Sequence, residues 1–182
     1  MLHSARADYV VLLHQDETFT RPDALLDGVQ VLRRFPQLGA YVFGHCIRRA
    51  DGVNRYRSGL WARVTALMPQ FIYFSNHVGS PSNVMFSRQT MTTLFDPSLR
   101  WLVDVDWFFR NFGRRGLFFS EHVDLVSRAD VGMGITRSLD VRSVERDEIA
   151  RLREAHPEFS VKVFLLGRLM KRFLKDCLGV RS

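Results

Sequence analysis

Apolar and polar positions along this chain fall into blocks, each with its own period. The first block, Tyr9-Val10-Val11-Leu12-Leu13, is apolar without interruption, the pattern of a strand covered on both faces of a parallel or mixed sheet. It stops on His14-Gln15-Asp16-Glu17, which predicts carboxylates at the carboxyl edge of a sheet, where open α/β folds bind ligands. The same carboxylates also suit the capping of a following helix, since Thr20, Pro22 and Asp23 open one over 21–34. Leu25, Leu26, Val29 and Leu32 keep helical spacing there, and Phe35-Pro36 ends it.

The later blocks continue the α/β rhythm. Residues 39–48 predict a strand followed by the turn Ala50-Asp51-Gly52-Val53, and 60–68 a short helix after an arginine-rich loop. Gly79-Ser80-Pro81-Ser82 marks a tight loop, with a short strand over 83–86 behind it. A helix beginning near Asp104 carries Trp107, Phe108 and Phe112 on its buried face and ends at the glycines of 113–116. One or two strands follow over 117–127, and the glycines of Val131-Gly132-Met133-Gly134 suit a loop able to close over a substrate. The helix over 143–155 offers only Ile149 and Leu152 as an apolar stripe, with Asp147 and Arg151 in the favourable order for an ion pair. The last helix, over 161–178, is amphipathic. Arg168, Lys171, Arg172 and Lys175 fall in one sector of about 100°, opposite Leu165, Leu166, Leu169, Met170, Phe173, Leu174 and Cys177.

Composition narrows the class. A chain of 182 residues with 46% hydrophobic content supports one core. No apolar run reaches the roughly 18 residues of a membrane span, and the N-terminus lacks the pattern of a secretory leader. Cys46 and Cys177 stand alone, as two free thiols of a reducing compartment would. These features predict a cytoplasmic location. The net charge is +7, and the segment 161–182 carries six basic residues against one acid. That concentration suits either a membrane surface at the inner face or a docked helix with its basic side in water. It lacks the aromatic interleaving of a nucleic-acid module, so no nucleic acid is expected.

Two motifs, taken together, resemble those of the inverting family 2 glycosyltransferases of GT-A fold. The first is Ala7-Asp8-Tyr9, the apolar strand, His14-Gln15-Asp16-Glu17, Phe19 and Pro22. The second is Phe95-Asp96 followed by Val103-Asp104-Val105-Asp106-Trp107 and Arg110. The resemblance implies that Asp16 binds a divalent metal, Mg²⁺ or Mn²⁺, which holds the diphosphate of a nucleotide-sugar donor. It implies Asp104 as the general base that takes a proton from an acceptor hydroxyl, and Asp130 as a further metal ligand where the family often has a histidine. His14, Glu17, Ser80, Asp106, Trp107, Arg110 and Arg128 complete the implied substrate-contact set. Helical geometry separates Asp104 and Asp106 by about 200°, which turns Asp106 away from the base and toward Arg110. Two positions depart from the family pattern, His14 in place of an aspartate and Val103 in place of a glutamate.

The expected fold is therefore a partial GT-A domain over 1–135, a mixed sheet flanked by helices without the N-terminal nucleotide-binding strands. A helical extension over 136–182 follows it. The expected activity is sugar transfer with inversion to a saccharide or lipid-linked acceptor, with a partner chain able to supply the missing half. The alternative is a non-catalytic remnant that binds a partner or a membrane surface through its basic helix. In either case the first strand lacks one neighbour and leaves a sheet edge open.

Overall fold

The computed structural model describes residues 6–48, 52, 54–56, 59–128 and 140–178. In chain order the elements are β1 Tyr9–Val11, β2 Glu17–Phe19, α1 Ala24–Arg34, β3 Leu38–Val42, β4 His45–Arg48, β5 Asn54–Tyr56 and α2 Gly59–Leu67. After the 3₁₀ segment Pro69–Tyr73 come β6 Val84–Ser87, α3 Val103–Phe112, β7 Gly116–Phe119, β8 Leu125–Arg128, α4 Val141–Ala155 and α5 Phe159–Cys177. The strands form two mixed sheets, ordered β1-β6-β3-β7 and β2-β8-β4-β5. The chain is thus of the α/β class.

In the first sheet β6 runs antiparallel to both β1 and β3, and β7 runs parallel to β3. Strands β1, β3 and β7 therefore point the same way and share one carboxyl edge. Residue parity along each strand sorts two cores. Val10, Leu12, Ala40 and Val42 face the cluster built with α3, α4 and α5. Tyr9, Val11, Tyr41 and Phe43 face the cluster under α1. Both faces of β1 are covered, as an uninterrupted apolar run requires. Its residues are nevertheless only half-buried, and Leu13 is exposed. β1 is the sheet edge, and among the described residues no strand pairs with its outer side.

The strand expected over 39–48 breaks at Phe43-Gly44, where the path leaves the first sheet as β3 and enters the second as β4. A Cβ on Gly44 would lie 1.7 Å from the carbonyl oxygen of His122, so only glycine permits this close approach. The Gly44 amide donates to Asp124 Oδ2 at 3.1 Å, and Arg21 pairs with Asp124 Oδ1 at 3.0 Å. Buried Asp124 thus ties the kink to the start of α1. On α1 the inward positions are Ala24, Gly28 and Leu32, while Leu25 and Leu26 are exposed. Small residues at four-residue spacing let the helix approach Met85 and Tyr41 closely.

The C-terminal helices share the main core, with Ile149, Leu152, Val161 and Leu165 all buried in it. Helix α4 also buries Glu145 and Glu148 on the face that carries Ile149 and Leu152. Their spacing of i, i+3, i+4 and i+7 is that of a core-facing stripe. Partners on other elements bring the two glutamates inside. Much of the basic side of α5, expected in water or on a membrane, turns inward, where it meets Glu145. Arg168 Nε and Arg172 Nη1 pair with Glu145 at 2.6 and 2.8 Å, and Lys171 Nζ stands 4.7 Å from the Phe74 ring centre.

Candidate active site

Chain lengths set where Asp104 lies. Helix α3 has ten residues, about 15 Å at 1.5 Å each, and β3 has five, about 16 Å. The C-terminal end of α3 sits over the amino end of β3, because Gly39 faces Phe112 and Arg115. The N-terminal turn of α3 consequently reaches the carboxyl edge of the sheet, where β1 ends.

That N-terminus is held from outside. Glu148 of α4 accepts the backbone amides of Arg100 at 2.5 Å, Trp101 at 3.1 Å and Leu102 at 2.7 Å, a carboxylate set against the amides that lead into a helix. Asp104 is thereby relieved of capping: α3 starts at Val103 behind Leu102, and no side chain caps it. Among the described residues the Asp104 carboxylate takes no hydrogen bond. Burial pushes it up to about 6, partly offset by the charge of nearby His14. A half-buried carboxyl with a pKa near neutrality and no structural partner is poised to exchange protons.

The first motif faces this group. His14 is exposed, and its amide donates to Glu17 Oε2 at 3.4 Å. Glu17 is buried at the head of β2, and its Oε1 accepts the Ser80 hydroxyl at 3.1 Å. Ser80 Oγ also meets Ser82 Oγ at 2.6 Å. The loop carrying Ser80 turns at Gly79, whose φ of 106° favours glycine. Asn76 fixes that turn with both ends of its amide, accepting from the Gly79 amide at 2.8 Å and donating to its carbonyl at 2.7 Å. Half-buried Asp16 lies in the turn between β1 and β2, where its carbonyl accepts the Arg128 amide at 3.2 Å. The structure thus gathers His14, Asp16, Glu17, Ser80, Asp104 and Arg128 about the carboxyl edge. Asp130 lies outside the described residues.

Asp106, Trp107 and Arg110, grouped with these by the resemblance, are placed differently. Asp106 is buried, with Oδ1 accepting from Tyr73 Oη at 3.1 Å and meeting His156 Nε2 at 3.0 Å, and with Oδ2 accepting from Arg110 Nε at 2.6 Å. Burial works against its ionisation, but the hydrogen bonds from His156 and Arg110 outweigh it and hold the carboxyl below its ordinary value. Trp107 is fully buried, its Nε1 donating to the Thr93 carbonyl and its ring stacked on Phe95. These are core and helix-tethering contacts. The 200° turn between positions 104 and 106 sets Asp106 on the far side of the helix from Asp104.

No group of three or more histidine, cysteine or acidic side chains converges as a metal centre among the described residues. Mg²⁺ and ions like it are usually held by one or two carboxylates together with substrate phosphates. Half-buried Asp16, in the turn that ends at the edge, is the residue that such a sparse arrangement would use.

Beside the edge, α2 and the loop after β7 enclose a cavity of about 430 Å³ lined by Gly44, His45, Arg63, His77, Glu121 and His122 among others. His45 Nε2 lies 2.9 Å from Ser127 Oγ. Sequence reasoning passed over Glu148, Asn76 and the histidines of this cavity. The α4 stripe offered a signal for Glu148, and no local pattern marks the others. No protein-family model matches the chain, and no curated protein matches it.

Proposed function

We propose that the chain is a glycosyltransferase, or the acceptor-side part of one, of GT-A fold, transferring a sugar with inversion from a nucleotide-sugar donor to an acceptor hydroxyl. The observation that supports it most is Asp104: a carboxyl raised to about 6 by burial, free of structural partners among the described residues, and facing the His14 end of β1. In this reading Asp104 Oδ takes the acceptor hydroxyl's proton as the hydroxyl oxygen bonds to the anomeric carbon and the bond to the leaving diphosphate breaks. Glu17 and Ser80 fix the loop that walls the donor side. The cavity beside the edge, lined by Arg63, Glu121 and His122 among others, is where an acceptor sugar would sit. A divalent cation, when bound, would be held by Asp16 and the donor diphosphate and would neutralise the charge on the leaving group.

The test is sugar transfer or hydrolysis by the purified chain with a panel of sugar nucleotides and Mn²⁺, alongside calorimetric titration of the same donors. Asp104→Asn is expected to bind donor as the parent does and to lose turnover by roughly a hundredfold or more. Equal turnover in both proteins removes Asp104 as base. Failure of every sugar nucleotide to bind removes the reading of a chain that transfers sugar by itself.

A further inference from the structure

The inward turn of α5's basic side leaves its other side uncovered. At 100° per residue, the outward half of the helix circumference carries Phe159, Val163, Leu166, Met170, Phe173 and Leu174, and all six side chains are exposed. Phe159 is 81% exposed, Met170 66% and Phe173 68%. The sole charged residue in that half is Lys162. Such an apolar stripe, unbroken over four turns, is costly in water and marks an interaction surface. The arrangement is built rather than frayed: the Glu145 pairs with Arg168 and Arg172, the Lys171–Phe74 contact and buried Val161 and Leu165 fix which way the helix faces.

We infer that this face of α5 seats on an anionic lipid surface, lying along the headgroup boundary with its axis in the membrane plane. Charge selects the occupant. The chain carries +7, so a second copy would bring like charges together, whereas an anionic bilayer meets the opposite sign. Lys162 borders the stripe, placed to reach headgroups while the apolar side chains enter. The one acid of α5, Asp176, is neutralised by Arg142 at 2.8 Å. Among the described residues no helix is long and apolar enough to cross a membrane, and the contact proposed is a peripheral one. The lipid contact follows from α5 alone and holds whether or not the carboxyl edge transfers sugars.

Flotation of the full chain with phosphatidylcholine vesicles, and with phosphatidylcholine–phosphatidylglycerol vesicles in a two-to-one ratio, tests it. Binding to the mixed vesicles is expected, weakened but not abolished by high salt. Met170→Glu with Phe173→Glu should lower it by roughly tenfold or more, with an unchanged circular dichroism spectrum because both positions are exposed. Leu26→Glu, an equally superficial change on α1 across the sheet, should leave it unaltered. As a second readout that needs no disruptive change, the indole emission of a Phe173→Trp variant should shift to the blue on adding mixed vesicles. The inference is overturned if the parent chain floats with neither vesicle, if the double variant floats as well as the parent, or if the emission of Phe173→Trp does not move. A dimer that the double substitution dissolves, in a chain that ignores vesicles, would assign the face to a second copy instead.

Discussion

Ser80 Oγ donates to Glu17 Oε1 at 3.1 Å across 63 residues of chain, joining the head of β2 to the loop that precedes β6. The bond is buried on the glutamate side, so its loss leaves a desolvated carboxylate short of a partner. Ser80→Ala should destabilise the fold by about 1–2 kcal/mol, and Glu17→Ala by more. Urea melts of the two single variants and the double, read as a mutant cycle, check the coupling; additive losses would show that the pair does not act as one.

Asp104 should make the protein less stable at neutral pH than its asparagine counterpart. Its folded carboxyl titrates near 6, above the ordinary value of 3.8, so between those values the native state binds more protons than the unfolded chain and stability falls as pH rises. Asp104→Asn should therefore gain roughly 1–3 kcal/mol at pH 7.5, and the gain should shrink as pH drops toward 4. A gain equal at both ends of that range would show that the carboxyl is not raised by folding. In the proposed reaction the same titration makes turnover fall as pH goes below about 6, as a pH profile of kcat/KM would register.

Asp106 has the opposite sign. Its carboxyl is held below the usual range, so it contributes stability above its unfolded pKa, and that contribution is lost as acid takes the pH down through its folded pKa. Removing it with Asp106→Ala strands Arg110, His156 and Tyr73 and should cost about 3–5 kcal/mol. Thermal melts at pH 7 and in the acid range should converge for parent and variant as the pH falls.

Glu145 fixes the face that α5 presents. Glu145→Gln leaves Arg168 and Arg172 without a countercharge and should cost about 2–4 kcal/mol. Hydrogen exchange is expected to quicken across α5 ahead of β3 and β6. Uniform quickening over the whole chain would mean that the helix has no separate attachment.

Gly44→Ala should be among the most damaging single-methyl changes in the molecule. The added carbon would overlap the His122 carbonyl at 1.7 Å, and backbone cannot yield as a side chain does. Loss of soluble, cooperatively melting protein is the expected result, and an unaltered melting temperature would refute the close approach.

The sequence by itself determined the helices and the strands near 9–11, 38–48, 84–87 and 116–128, but not β2 and β5, which lie where it reads as a polar turn and an arginine-rich loop. The apolar run of β1, the glycines after α3 and the proline-bounded helices are local signals that survive without tertiary context. It also set Asp104 and Asp106 on opposite sides of their helix, because helical periodicity is a property of the backbone alone. Contact with distant parts of the chain decided the rest. Glu145 and Glu148 look like surface charges until Arg168, Arg172 and the amides of 100–102 arrive from other elements to satisfy them. The facing of α5 could not be read from its wheel, since an amphipathic helix can bury either side when the domain supplies matching partners; here a buried carboxylate draws the guanidinium groups inward and sends the apolar stripe out. The single strand expected over 39–48 became two because the His122 carbonyl, some eighty residues away, presses against Gly44. Periodicity is written residue by residue, but burial is a relation between segments, and only the folded chain brings those segments together.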